Sequence, residues 1–283
     1  MKHNQILLFA SLFSIIYTVY PIAFFHGITD TCQQNTRLIE NLKRDLGVHV
    51  ECIEIGDGSI DSIVKPIHDQ VIEACDKIKS NPHFQEKFNI FGFSQGTLIG
   101  RYIIEKCDMK GQVAKYLSFD GPQMGIASIP KFNCGIFCDW IGDMSVSLAY
   151  QYQDKIAPLA YYKYKYAQDT YMRTNKFLKM LNNENDIKDK EIKRRFSSLE
   201  KIKLIKSKHD TIIIPRDSCW FQFYDKSGQY TVPLERTDFY INDFIGLKKL
   251  NEEGKVIFSE MSGEHVQFTN DDYKKEFVEF FKD

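Results

Sequence analysis

The pentapeptide Gly92-Phe93-Ser94-Gln95-Gly96 constrains this chain more than any other feature of its sequence. An apolar run that ends at Phe91 precedes it, and a helix-like stretch from Gln95 to Lys106 follows it. A G-x-S-x-G motif between a strand and a helix is typical of a nucleophile elbow, a sharp turn that projects a serine hydroxyl from the end of a sheet. Glycine on both sides lets neighbouring backbone pass close to the turn. The pattern therefore predicts Ser94 as a nucleophile; the alternative is a tight turn with an ordinary serine.

A serine nucleophile needs a histidine base, and the order of residues along the chain limits the choice. In α/β hydrolases the order is Ser, then Asp or Glu, then His. Of the seven histidines, only His209 and His265 follow Ser94. His265 comes after an apolar run at 256–258 and before a helical pattern, which indicates a loop at the carboxyl end of a strand, where ligand crevices form. His209 lies too close to any later acid, so we expect His265 to be the base.

The acid that orients this base should also follow a strand. Asp210 comes shortly after a short apolar stretch that ends at Ile205. In that position it would accept a hydrogen bond from His265, fix its tautomer and stabilise the imidazolium that forms during attack. Asp217 and Asp225 are the alternatives, each deeper in a loop. Asp210 is the prediction, against the simpler interpretation of a solvated surface charge.

An oxyanion hole is predicted near the start of the chain. The apolar run at 21–25 is typical of a buried strand, and His26-Gly27-Ile28 follows it directly. An α/β hydrolase places one backbone N–H donor on this loop and takes the other from the residue after the nucleophile. The expected donors are therefore the amides of Ile28 and Gln95. The simpler interpretation of His26-Gly27 is a polar turn after a strand.

The alternation of predicted elements gives the fold class. Strands and helices alternate from Pro21 to Phe119, which indicates right-handed crossovers and a mostly parallel central sheet with helices on both faces. The alternation stops at about 139–198, where helical patterning takes over. We therefore expect one α/β-hydrolase domain at 20–283 with an insertion at about 139–198.

Composition and the N-terminus bear on the compartment. The formal net charge of −1 argues against a nucleic-acid-binding surface. Lys2 followed by an apolar run at 6–16 predicts a signal peptide over 1–19, although the cleavage site matches poorly; a retained anchor is the alternative. Seven cysteines fit an oxidising compartment better than the cytosol. Cys32 and Cys52 lie in or just after predicted strands and could pair across them. A zinc site is disfavoured because no C-x₂-C spacing with a histidine pair occurs.

Several longer motifs carry a resemblance to a known family. From about Tyr20 to the C-terminus the chain resembles the palmitoyl-protein thioesterases, lysosomal α/β hydrolases that remove long-chain fatty acyl groups from cysteine thioesters, and it is closer to their first paralogue group than to their second. The resemblance rests on these stretches: His26-Gly27-Ile28-Thr29-Asp30, Gly92-Phe93-Ser94-Gln95-Gly96, Ser118-Phe119-Asp120-Gly121-Pro122-Gln123-Met124-Gly125, Asp210-Thr211-Ile212-Ile213-Ile214-Pro215-Arg216-Asp217-Ser218, Trp220-Phe221-Gln222-Phe223-Tyr224, Gly246-Leu247-Lys248 and Gly263-Glu264-His265-Val266-Gln267.

The resemblance implies roles for particular residues. Ser94, Asp210 and His265 take the positions of the catalytic triad, and the insertion takes the place of a helical lid over an acyl groove. It also implies the disulfides Cys75–Cys107 and Cys134–Cys138, which leave Cys219 as a free thiol. The chain contains no N-x-S/T sequon, so glycan-dependent sorting is a point of departure from the animal enzymes.

The expected function is that of a serine thioesterase that removes palmitoyl groups from S-acylated proteins or peptides without a metal or organic cofactor. The expected partners are those substrates and other long-chain acyl thioesters, with no nucleic acid and at most transient membrane contact. The expected location is the lysosome or the secreted fraction. The alternatives are an acyl-CoA or small-thioester hydrolase and an inactive lipid-binding protein on the same fold.

Overall fold

The computed structural model describes residues 19–130 and 141–283. In these ranges a six-stranded sheet forms the centre of the molecule, with the strand order β2-β1-β3-β4-β5-β8 and every neighbouring pair parallel. A separate antiparallel pair, β6-β7, lies outside it. The strands are β1 Ile22–Phe25, β2 Val50–Cys52, β3 Lys87–Phe93, β4 Gln112–Phe119, β5 Lys201–Ser207, β6 Phe223–Tyr224, β7 Thr231–Val232 and β8 Val256–Met261.

Helices connect these strands. The α-helices are α1 Thr36–Leu46, α2 Asp61–Val64, α3 Ile67–Ser80, α4 Gln95–Lys106, α5 Val146–Tyr152, α6 Gln168–Thr174, α7 Phe177–Leu181, α8 Lys190–Phe196, α9 Asp238–Ile241, α10 Leu247–Glu252, α11 Asn270–Asp272 and α12 Glu279–Lys282. A π-helix, Tyr273–Val278, joins α11 to α12. Short 3₁₀-helices lie at Pro82–Phe84, Ala157–Tyr161, Arg216–Trp220 and Leu234–Arg236.

Both faces of the sheet are buried, as expected for a parallel sheet covered by crossover helices. Successive residues of β1 alternate between the two faces: Ala23 and Phe25 join the core under α3 and α4, whereas Ile22 and Phe24 join the core under α1 and the C-terminal helices. This two-residue period follows from the pleat of a strand. The architecture is the predicted α/β-hydrolase fold.

The register of the sheet brings the ends of three strands together. Phe93 pairs with Phe119, and Phe119 pairs with Ile205. The residues that follow these pairs therefore leave the sheet at the same edge, which is the carboxyl edge where open α/β sheets bind ligands.

Among the described residues there are two disulfide bonds, Cys32–Cys52 and Cys75–Cys107, and Cys219 is a buried free cysteine. Cys75 lies in α3 and Cys107 follows α4, so this bond joins two helices on one face of the sheet. The predicted pair Cys134–Cys138 and the predicted signal peptide, apart from Val19, lie outside the described residues. Within the part of the chain that the structure describes, no helix is both long and apolar enough to span a bilayer.

Candidate active site

The predicted elbow forms a strained turn between β3 and α4. Ser94 has φ 48° and ψ −121°, outside the regions that most residues with a Cβ adopt, and α4 begins at the next residue. A Cβ on Gly92 would come within 2.7 Å of the Thr97 backbone, and one on Gly96 within 2.2 Å of the Phe25 carbonyl oxygen. The glycines are therefore required by close approach of β1 and α4. Ser94 is only 5% exposed, so the neighbouring loops cover the turn.

The structure brings the three predicted triad residues together from separate loops. Ser94 Oγ lies 3.0 Å from His265 Nε2, and His265 Nδ1 lies 2.7 Å from Asp210 Oδ2. Asp210 follows β5 and His265 follows β8, two neighbouring strands. With its proton on Nδ1, His265 donates to Asp210 and leaves Nε2 free to accept the serine proton. This is the hydrogen-bond order of a nucleophile, a base and an orienting acid.

Backbone amides fix the carboxylate of Asp210. Its Oδ1 accepts hydrogen bonds from Ile212 N at 2.7 Å and Ile213 N at 3.0 Å, and Oδ2 remains for His265. Asp210 is 4% exposed, which argues against a solvated surface charge. Oriented, buried acceptors of this kind cost no reorganisation during proton transfer.

The alternative residues have other partners. Asp217 pairs with Lys206 at 2.9 Å, and Asp225 accepts hydrogen bonds within its own turn from Ser227. His209 is exposed at the surface. None of the three has a hydrogen bond or ion pair to Ser94 or His265 in the described residues.

The predicted oxyanion-hole loop lies against the elbow. A Cβ on Gly27 would come within 3.2 Å of Ser94 Cβ, so this loop packs directly on the nucleophile. The amides of Ile28 and Gln95 have no hydrogen-bond acceptor among the described residues. The Gln95 side chain is held in turn: it donates to Ser62 O at 2.8 Å and accepts from Tyr161 Oη at 2.9 Å.

A second carboxylate, Asp120, lies beside His265, and the sequence reasoning did not single it out as a site residue. Asp120 follows β4, is fully buried, and its Oδ2 lies 3.9 Å from His265 Nδ1. Burial raises the pKa of Asp120 to about 6, although the neighbouring His265 acts in the opposite direction. The sequence signal that selected Asp210 was an acid soon after a predicted strand. Asp120 follows the predicted strand that ends at Phe119, so the same signal could have found it.

In the ranges that the structure describes, two groups of side chains bring metal-ligating atoms within 4.8 Å of one another, namely Asp120 with Asp210 and His265, and His26 with Cys32 and Glu54. In the second group Cys32 is in a disulfide and His26 Nε2 bonds Glu54 at 2.5 Å. In the first group His265 connects Asp210 to Ser94. Both groups thus have protein partners, and only the first forms a hydrogen-bond chain to Ser94.

Comparison with known families adds an independent observation. A family model described as "Palmitoyl protein thioesterase" matches residues 21–265. The chain belongs to this family. The matched range includes Ser94 and Asp210 and ends at His265.

Curated members of the palmitoyl protein thioesterase family are similar over nearly the whole chain. Palmitoyl-protein thioesterase 3 of Dictyostelium discoideum is 31% identical, over 98% of this chain and 96% of that protein. Palmitoyl-protein thioesterase 1 of Caenorhabditis elegans is 30% identical, over 91% of this chain and 92% of that protein. The lysosomal thioesterase PPT2 of Bos taurus is 24% identical, over 86% of this chain and 80% of that protein. The sequence identity to palmitoyl-protein thioesterases 3 and 1 is thus higher than that to this PPT2 protein.

In this family member one cleft adjoins the site, and a second lies beside the insertion. One, of about 610 Å³, lies beside the Asp210 loop and is lined by Ile213, Ile214 and several charged residues. The other, of about 520 Å³, lies between α3 and the inserted helices; Ile67, Ala160, Phe177 and Met180 contribute to its apolar lining, and polar and charged side chains such as Gln153, Asp154 and Lys176 line the rest.

Proposed function

We propose that this chain hydrolyses long-chain fatty acyl thioesters of cysteine in proteins or peptides, through an acyl-serine intermediate on Ser94. The observation that carries the proposal is the continuous hydrogen-bond chain from Ser94 Oγ through His265 to Asp210, with distances of 3.0 and 2.7 Å, in a chain of the palmitoyl protein thioesterase family. The names of the relatives support the substrate class.

Acylation follows from the geometry. His265 Nε2 takes the proton of Ser94 as Oγ bonds to the thioester carbonyl carbon. The carbonyl oxygen becomes an oxyanion, and the amides of Ile28 and Gln95 are the donors assigned to it; one such donor stabilises the transition state by about 3 kcal/mol. The C–S bond then breaks, and the His265 proton passes to the departing sulfur. An ordinary cysteine thiol has a pKa near 8.5, so it leaves more readily than an alcohol.

Deacylation repeats these steps with water. His265 removes a proton from water, the hydroxide oxygen bonds to the acyl carbon, and the bond to Ser94 Oγ breaks with return of the proton from His265. The products are a fatty acid and the original serine. Asp210 orients His265 in both halves and stabilises its imidazolium.

The inserted segment at about 139–198 acts in this proposal as a lid, and the cleft between α3 and the inserted helices takes the acyl chain. The apolar lining supports this: Phe177 and Met180 lie on α7 of the insertion, and Ala160 directly precedes Tyr161, which bonds the side chain of Gln95. Each methylene buried in such a cleft contributes about 0.8 kcal/mol.

We also propose that 1–19 is a removable signal peptide, that 20–283 is the mature domain, and that the enzyme works in the lysosome. Disulfides form and persist in oxidising compartments rather than in the cytosol, and the described residues contain two of them. Relatives from Drosophila melanogaster and Bos taurus are named lysosomal thioesterases.

The direct test is the purified protein on three substrates: a palmitoylated peptide, palmitoyl-CoA and a phospholipid ester. The proposal predicts that the palmitoylated peptide is hydrolysed with the highest kcat/KM. A preference for palmitoyl-CoA would reassign the substrate, and absence of turnover on all three would remove the enzymatic proposal. Localisation is tested by fractionation and by the N-terminal sequence of the mature protein.

A further inference from the structure

The buried carboxylate of Asp120 makes contacts that none of the mechanistic steps uses. Within the described residues its hydrogen bonds go to the end of β5, just before the acid, and to the loop that carries the base. Oδ1 accepts from Ser207 N at 2.6 Å, and Oδ2 accepts from Ser207 Oγ at 2.7 Å and from Val266 N at 2.7 Å. Ser207 ends β5, three residues before Asp210, and Val266 directly follows His265. One side chain thus joins the acid loop to the base loop.

The backbone on both sides of this contact is strained. Val266 has φ 57° and Asp120 has φ 48°. A β-branched residue with positive φ is an outlier, and a conformation of this kind persists only where its surroundings fix it. The hydrogen bond from Val266 N to Asp120 provides such a constraint, directly beside the base.

The charge of Asp120 also faces His265. Its Oδ2 lies 3.9 Å from His265 Nδ1, whereas Asp210 Oδ2 lies at 2.7 Å. Because both carboxylates are buried, water screens neither of them strongly from the imidazolium. Cys219, from the Arg216–Trp220 segment, also lies near this pair. Burial, with the two carboxylates, raises the pKa of its thiol well above the ordinary value, so it is neutral; Lys206 acts on it in the opposite direction.

We infer that Asp120 is a positioning residue for the proposed reaction: it fixes the His265–Val266 turn relative to the Asp210 loop and adds a second negative charge to the imidazolium. The inference rests on the proposed function. It gives a role to a fully buried carboxylate that, in the part of the chain the structure describes, has no cationic side chain as a hydrogen-bond partner.

The test is Asp120→Asn, which keeps the shape of the side chain and removes its charge. We expect kcat on a palmitoylated peptide to fall about tenfold to a hundredfold with KM within twofold, because a misplaced catalytic group costs about that much. We also expect the acid limb of the kcat/KM profile to move to lower pH. The reaction needs neutral His265, and removal of a negative charge 3.9 Å from the imidazole makes its protonated form less favourable. A purely structural role would not move this limb.

Asp217→Asn is the matched control, since Asp217 lies on a neighbouring segment and pairs with Lys206; its kcat and acid limb should equal those of the wild type. Ser207→Ala provides a second variant, because it removes one donor to Asp120 and keeps the carboxylate. We expect a loss of kcat that is larger at pH 6 than at pH 8, since the loss of a donor favours protonation of Asp120.

A folded Asp120→Asn enzyme with wild-type kcat and acid limb would overturn the inference. If Asp120→Asn does not fold, Ser207→Ala decides, and a wild-type profile in that variant would overturn it. Ser94→Ala separates the two claims. If the Ser94→Ala enzyme is active, the proposed function itself is wrong. If it is inactive while Asp120→Asn keeps the wild-type kcat and acid limb, only this inference is wrong.

Discussion

The carboxyl edge of the sheet and the inserted segment at 141–198 are built by different means. At the edge, three loops directly follow β3, β5 and β8, and backbone amides fix the carboxylates that orient the base. In the insertion, the helices are only five to seven residues long. Helices of this length have little stability of their own.

Buried side-chain hydrogen bonds hold the insertion in place. Asn175 donates to Ala160 O and to Gln153 Oε1, and Arg101 of α4 donates to Leu181 O and Asn182 Oδ1. The two regions meet where Tyr161 of the insertion bonds the Gln95 side chain beside the nucleophile. In the proposed function, the edge carries out the chemistry and the insertion selects the acyl chain.

The largest effect is expected at the edge. His265→Ala removes the base for both halves of the reaction, and kcat should fall by about 10⁴-fold or more. The measurement is steady-state hydrolysis of a palmitoylated peptide, with circular dichroism as the check on folding. His209→Ala is the matched control, because His209 is exposed and nearby, and it should keep wild-type activity. A folded His265→Ala enzyme within tenfold of the wild type would exclude His265 as the base.

Asp210→Asn should be the next most severe change. The variant keeps the contacts of the side chain but disturbs the tautomer and the imidazolium, so we expect a loss of kcat of about 10³- to 10⁴-fold. Single-turnover kinetics would locate the loss in acylation or deacylation. The same change at Asp217 should have no effect, and equal losses at the two positions would contradict the assignment of the acid.

The strands and turns of the carboxyl edge could be predicted because the sequence features that indicate them are local. An apolar strand, a glycine-flanked serine and an acid or a histidine at the end of a strand each occupy a few adjacent residues. The strand before Ser94 and the helix Gln95–Lys106 occur where the pattern indicated. The resemblance supplied the pair Cys75–Cys107, and the predicted strands suggested Cys32–Cys52; both bonds are present.

Two other contacts between distant residues escaped the sequence reasoning. Asp120 and Val266 are 146 residues apart, and Tyr161 and Gln95 are 66 apart, so no local pattern relates them. The lid was predicted as helical, but the identity of its buried polar residues depends on which elements it packs against. The antiparallel pair β6-β7 was not predicted either, since its strands have two residues each and carry no measurable alternation.

A smaller effect is expected where the regions meet. Tyr161→Phe removes the donor to Gln95 Oε1 and leaves that oxygen buried without this partner, which costs about 1–3 kcal/mol. We expect the free energy of unfolding in urea to fall by about that amount. We also expect kcat to fall roughly three- to tenfold, because the backbone N–H of Gln95, the proposed oxyanion donor, is held less firmly when its side chain loses this partner. Tyr166→Phe is the control, since Tyr166 is 60% exposed. Unchanged stability and kcat in Tyr161→Phe would show that the two regions are independent.

A substitution within the insertion should have the smallest effect on the catalytic steps themselves and should change only the preference for acyl length. Met180→Gln places a polar group in the cleft beside α3. We expect kcat/KM for a palmitoyl thioester to fall about tenfold and that for a four-carbon thioester to stay within twofold, because only the long chain needs the apolar surface. Met172→Gln, on the exposed side of α6, should change neither value. Equal losses on both substrates would move the acyl chain to another cleft.

The central claim is that Ser94 carries the acyl group during turnover. Because a thiol leaves more readily than an alcohol, acylation should outpace deacylation, and the acyl-enzyme should accumulate in the first turnover. The measurement is mass spectrometry of the protein after rapid acid quenching with excess palmitoyl thioester, followed by digestion. We predict one palmitoyl group on the peptide that contains Ser94, and none on the Ser94→Ala variant. A palmitoyl group on another residue would contradict the account. So would turnover without any adduct on the wild type, together with an active Ser94→Ala variant.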